Sequence, residues 1–102
     1  MAQQFEYSFE WDPDKAKKNA DSHGITFEHA ATVFLDPSLL SLLDKEHGEE
    51  ERWVSLGLDK SARLLVVCHT YREVAARSAS IRIFSARKAT RSEAKDYERL
   101  KS

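Results

Sequence analysis

Residues Leu64-Leu65-Val66-Val67-Cys68 are apolar at five successive positions. Successive side chains of a strand point to opposite faces, so this run is apolar on both and belongs at the centre of a sheet. The rest of the chain has to build that sheet around it. Phe5, Tyr7, Phe9 and Trp11 alternate with Glu6, Ser8, Glu10 and Asp12, which predicts an opening strand with one buried aromatic face. Leu39 to Asp44 reads as a short strand and Lys45 to Glu51, charged and carrying Gly48, as a loop. Glu51 to Leu58 places Val54, Leu56 and Leu58 on one face and Trp53 on the other. Asp59-Lys60-Ser61 is the turn into a strand from Ala62 to Thr70. Tyr71 to Ser78 reads as a polar connection, and Ile81 and Ile83 begin a last strand that runs to Arg87.

Helices announce themselves by their ends. Asp12-Pro13 is an N-cap followed by a first-turn proline, predicting a helix over about 13–22 that stops at Gly24. Thr26 caps a second helix with Phe27, Ala30, Ala31 and Phe34 on its inner stripe, ended by Asp36-Pro37. Thr90-Arg91-Ser92-Glu93 has the spacing of a capping box and opens a third, with Ala94, Tyr97 and Leu100 inward. The expected architecture is α+β: an antiparallel sheet with two N-terminal helices on one face and a C-terminal helix, in the order β-α-α-β-β-β-β-α. At 102 residues, 41% of them hydrophobic, the chain fits one domain spanning 1–102. Its start lacks the basic flank and apolar stretch of a secretion signal, and no run nears the ~20 apolar residues of a membrane span. A cytoplasmic protein is expected. The single cysteine, Cys68, forms no internal disulfide and reads as buried filler.

A net charge of −1 conceals a gradient. Residues 1–51 carry four basic against twelve acidic side chains, and residues 52–102 carry twelve against five. Eight of the later bases are arginines, whose planar fork suits phosphate. The basic half is therefore suited to nucleic acid, unless the two halves neutralise each other in the fold.

The chain resembles the BrnT toxins of type II toxin–antitoxin modules, which are related in fold to RelE. The resemblance rests on Phe9-Glu10-Trp11-Asp12-Pro13 with Lys15 and Asn19, His23-Gly24-Ile25-Thr26-Phe27-Glu28, and Val33-Phe34-Leu35-Asp36-Pro37. It continues through Gly48-Glu49-Glu50-Glu51-Arg52-Trp53, Leu64-Leu65-Val66-Val67 with His69-Thr70, and Ile81-Arg82-Ile83. Ser85-Ala86-Arg87-Lys88-Ala89-Thr90, Glu93 and Tyr97 close it, and the turn at Asp59-Lys60-Ser61-Ala62 departs from it where family members often carry glycine. The resemblance implies a small ribonuclease working without metal or cofactor, held inactive by a BrnA-like antitoxin. It further implies a toxin–antitoxin heterotetramer that meets operator DNA only through the antitoxin, and no membrane partner.

Metal-free RNA cleavage needs a base for the ribose 2′-hydroxyl, cations for the phosphate and an acid for the leaving 5′-oxygen. His69 suits base or acid, or is a hydrogen-bonded strand-end histidine. Arg87, beside the capped helix, either meets phosphate or pairs with Glu93. Glu51 with Arg52 reads as a base with its phosphate clamp or as an exposed ion pair. Tyr97 touches phosphate or base, or lies in the core. Arg82, five residues before Arg87, falls on the opposite face if the strand is regular. Tyr71 and Arg72 stack on or clamp RNA, or decorate a loop. Lys15 is a further RNA contact by resemblance, on a helix face that otherwise reads as solvated. His23, His29, His47 and His69 lack zinc spacing. A non-catalytic binding module is the rival reading, and a metal hydrolase a third. The acids of 44–51 are expected to attract a basic antitoxin segment.

Overall fold

The structure, a computed structural model, describes residues 5–47 and 50–101. Strand β1 (Glu6–Glu10) is followed by helix α1 (Pro13–His23), helix α2 (Phe27–Ala31) and a 3-10 helix over Thr32–Leu35. Strands β2 (Leu40–His47), β3 (Glu50–Leu58), β4 (Leu64–Thr70), β5 (Arg72–Ala75) and β6 (Ser78–Lys88) come next, then helix α3 (Arg91–Leu100). The sheet order is β1-β6-β4-β3-β2, with β5 also paired to β6. The α+β class stands, and three details differ from expectation.

Residues 45–47 and 50–51, expected in a loop, belong to β2 and β3, which pair antiparallel out to His47 opposite Glu50. Gly48 and Glu49 lie outside the described residues. The segment 71–78, expected to be a connection, contains β5, because β6 extends past β4 and offers Ser78–Ser80 for pairing. Strand β1 runs parallel to β6, reached through the helices, while the other pairs are antiparallel.

The local end signals act as their chemistry requires. Asp12 Oδ1 accepts from the Asp14 amide and Thr26 Oγ1 from the His29 amide. Gly24 takes φ 68°, where a Cβ would be strained. Thr90 and Glu93 form both bonds of a capping box. Gly57 has a different reason: a Cβ there would come within 2.7 Å of Leu39 Cδ1, so any larger residue makes Leu39 shift.

The core lies between the sheet and α2 with the 3-10 helix. Ile25, Phe27, Ala30, Val33 and Phe34 meet Leu65, Val67, Ile81, Ile83 and Ala86. The aromatics of β1 are less buried than their alternation predicts. Tyr7, Phe9 and Trp11 are half-buried against this cluster and Phe5 is 41% exposed, because β1 is an edge strand. Val66 and Tyr97 are buried outside the cluster, and Cys68, read as buried filler, is half-buried.

Two features of β6 set which side chains share a face. Its register to β4 shifts between Cys68, opposite Ser85, and His69, opposite Ile83, so Phe84 is an extra residue in a bulge. Ile81 and Ile83 point to the core before it and Ala86 after it. Arg82 and Arg87 therefore fall on the same face, correcting the expectation from a regular strand. Where β1 stops pairing at Arg82, α1 takes over the edge. The Asn19 amide donates to the Ala86 carbonyl at 2.9 Å and accepts its N–H at 3.0 Å, as a neighbouring strand would. It also donates to the Ile25 carbonyl at 3.0 Å.

Candidate functional site

The sheet face turned away from the core gathers cations around one ring. The bulge presents Phe84 to Lys15 of α1, whose Nζ is 5.4 Å from the ring centroid, and to Arg52 of β3, whose Cζ is 4.7 Å from it. Guanidinium and ammonium groups are drawn to the electron-rich face of an aromatic ring, which holds them in place while leaving their outer hydrogens for a ligand. Lys15 and Arg52 are both exposed. Arg82 lies on the same face, its side chain 44% exposed and 3.8 Å from Glu10. Phe84 was missed as a site residue. Its signal was a lone aromatic on the polar side of an arginine-rich strand.

Arg87 shares this face but is engaged. Its two terminal nitrogens donate to the two carboxylate oxygens of Glu93, each at 2.9 Å. Glu93 also accepts from the Thr90 amide at 2.8 Å, so one carboxylate joins the end of β6 to the start of α3. The Arg87 hydrogen bonds, with the Thr90 amide, pull its pKa down to about 2. Of the two roles open to Arg87, the structure displays pairing with Glu93.

His69 is on the other face. Strand register places it beside Trp53 and Ile83, on the core side, while its neighbour Thr70 pairs with Arg52. The imidazole is 2% exposed and meets Phe34 edge-on, with centroids 4.8 Å apart. Nδ1 lies 2.8 Å from the Thr70 carbonyl oxygen and Nε2 2.7 Å from Ser55 Oγ, which is itself 2.7 Å from Ser41 Oγ. A carbonyl only accepts, so Nδ1 carries the ring hydrogen and Nε2 accepts from Ser55. Burial pushes the pKa below 6.5, with the Thr70 carbonyl opposing it, so the ring is neutral at pH 7. His69, Arg52 and Arg87 are thus not gathered on one surface, correcting the convergence that metal-free cleavage by these three requires.

The remaining candidates are dispersed. Tyr97 is 3% exposed, and its hydroxyl donates to Asp36 Oδ2 at 2.6 Å; burial and that carboxylate push its pKa up to about 12. Asp36 accepts at the same oxygen from the Leu58 amide, so Tyr97 ties α3 to the end of β3. Tyr71 is half-buried between β4 and β5, Arg72 is exposed on β5 and Glu51 is exposed at the start of β3. A cavity of about 210 Å³ opens beside His69, lined by Tyr7, Phe34, Leu39, Ser41, Trp53 and Tyr71. Among the described residues no three His, Cys, Asp or Glu side chains are grouped to hold a metal ion. No helix among them is long and apolar enough to cross a membrane.

Residues 11–93 match the family described as "Ribonuclease toxin, BrnT, of type II toxin-antitoxin system". The crystal structure of the Brucella abortus ribonuclease toxin BrnT is similar in fold, with a TM-score of 0.52 at 18% identity. The alignment covers 84% of this chain and 99% of that one. A search of curated proteins found no match.

Proposed function

From the premise that the chain belongs to the BrnT family of ribonuclease toxins of type II toxin–antitoxin systems, we propose that it cleaves RNA without a metal ion. The ribose 2′-hydroxyl gives its proton to water and attacks the adjacent phosphorus, the bond to the 5′-oxygen breaks, and that oxygen takes a proton from water and leaves as a hydroxyl, giving a 2′,3′-cyclic phosphate. A cognate antitoxin blocks the reaction by covering the basic face. The observation that carries this reading is the pair of exposed cations, Lys15 and Arg52, both held against Phe84. Phosphate oxygens bind the cations and a sugar or base rests against the ring, so charge is stabilised where it develops during attack. Arg82 extends the track along β6, and Arg72 lies beyond it. Arg87 and Tyr97, fastened to Glu93 and Asp36, serve the fold. Among the expected proton movers Glu51 is the exposed one, but it alternates with Arg52 along β3 and faces the other side of the sheet, so charge stabilisation is assigned to Lys15 and Arg52 and no base to Glu51.

A second reading is favoured by a specific observation: His69, Arg87 and Tyr97 each have protein partners already. On that reading the basic face binds RNA or a partner without turnover. Incubation of the pure protein with single-stranded RNA in EDTA separates the two. Fragments ending in 2′,3′-cyclic phosphate are expected, with Arg52→Ala slowing turnover. Shifted but intact RNA establishes the second reading instead.

A further inference from the structure

We infer that the cavity beside His69 is a nucleobase pocket. The inference rests on the reading that RNA is the substrate. It follows from the walls, the polar groups and the position of the cavity.

At about 210 Å³ the cavity is smaller than the ~300–1,000 Å³ sites that take drug-sized ligands, and it has room for one planar ring system. Tyr7, Phe34, Trp53 and Tyr71 supply aromatic surface and Leu39 an apolar edge. Besides the Tyr7 and Tyr71 hydroxyls in its wall, one polar group is left for a ligand. It is the outer end of the serine chain. Because Nδ1 of His69 donates to the Thr70 carbonyl, Ser55 donates to Nε2 and Ser41 donates to Ser55. The hydrogen of Ser41 is used inward, so its oxygen, on the exposed strand β2, is left as an acceptor. A flat ring bearing an N–H donor satisfies it. Nucleobases carry such donors and stack on aromatic side chains.

The position joins the pocket to the cation cluster. Arg52 and Trp53 are consecutive on β3 and point to opposite faces. A strand of RNA rounding the edge strand β2 places a phosphate over Arg52 on one face and one base in the pocket on the other. The neutral His69 ring, held by Thr70 and Ser55, then sets the hydrogen-bond direction of the pocket rather than moving a proton.

The test is titration of the full chain with uridine, adenosine and ribose 5-phosphate, read by tryptophan fluorescence. Both nucleosides are expected to quench saturably and ribose 5-phosphate is not. Ser41→Ala, with its melting temperature checked, is expected to weaken nucleoside binding roughly two- to tenfold, the worth of one hydrogen bond. Single-stranded RNA is expected to displace the nucleosides, and its affinity alone falls steeply with salt. Absence of quenching, or equal quenching by Ser41→Ala, overturns the pocket. Nucleoside binding that RNA does not displace overturns its assignment to a base of the strand. RNA cleaved in EDTA by a protein that binds no nucleoside sinks the pocket alone. Saturable nucleoside binding with RNA left intact supports the pocket and sinks the cleavage reading.

Discussion

His69 has both ring nitrogens bonded inside the protein, and protonation at Nε2 requires Ser55 to turn from donor to acceptor in a buried site. Its folded pKa lies below 6.5, so the unfolded chain takes up the proton first as pH falls. Stability is therefore fully present above about 6.5 and declines below it, toward the lower folded value. Urea midpoints at pH 7.5 and 5.5 are expected to show this loss, and His69→Gln to reduce it. Glu93 acts in a separate window, because its depressed pKa contributes stability above about 4.5 that disappears only toward about 2. A second residue is strained for a different reason. Ala62 sits at φ 62° in the turn after β3, the left-handed region that costs a side chain about 1–2 kcal/mol. Ala62→Gly removes that strain at some cost in chain entropy, and a stabilisation of about 1 kcal/mol in chemical denaturation is expected. The departure at this turn noted in the sequence is thus one with a physical consequence.

Strand β6 shows how an element is completed by parts far away in the chain. The Asn19 amide serves three backbone groups, two of them on Ala86, at an edge that no strand covers. Asn19→Ala would leave these groups buried without partners, and a loss of roughly 3 kcal/mol is expected from thermal or urea unfolding. Asn19→Asp, which still accepts but no longer donates, is expected to fall between. In the sequence, Ala16 and Ala20 give this helix a thin apolar stripe, and nothing local to Asn19 marks it as an edge partner. Its importance arises only once β1 ends early. Caps were legible for the opposite reason: Asp12-Pro13, Thr26 and the Thr90–Glu93 box act on amides two or three residues away, so their chemistry is written in adjacent positions. The bulge at Phe84 left no such mark, and it alone moved Arg87 onto the face of Arg82.

At the scale of the whole molecule, most ion pairs among the described residues lie within one half of the chain. Among the described residues four pairs, Arg63–Asp59, Arg87–Glu93, Arg99–Asp96 and Lys101–Glu98, lie within the basic half. Arg82–Glu10, at 3.8 Å, joins the halves. Lys15 crosses from the acidic half to serve the basic face, leaning on Phe84 as Arg52 does. If that face carries RNA, each cation releases counterions on binding. Arg52→Ala and Lys15→Ala are each expected to lower the slope of log affinity against log salt by about 0.7, measured with a single-stranded oligonucleotide.

Much of the architecture was readable in advance: the central strand at 64–68, the helix ends, the α+β class and the family likeness. These depend on alternation and on contacts within a turn or two, which a linear string records directly. The identity of the groups around the candidate site was not readable in the same way. One inserted residue in β6 reversed which side chains share a face, and the partners of His69 and Tyr97, Ser55 and Asp36, lie 14 and 61 positions away. Arg87 stood between two roles until Glu93 was brought against it. Which polar side chains stay exposed and which hold the fold was decided by packing, because their partners come from distant parts of the chain.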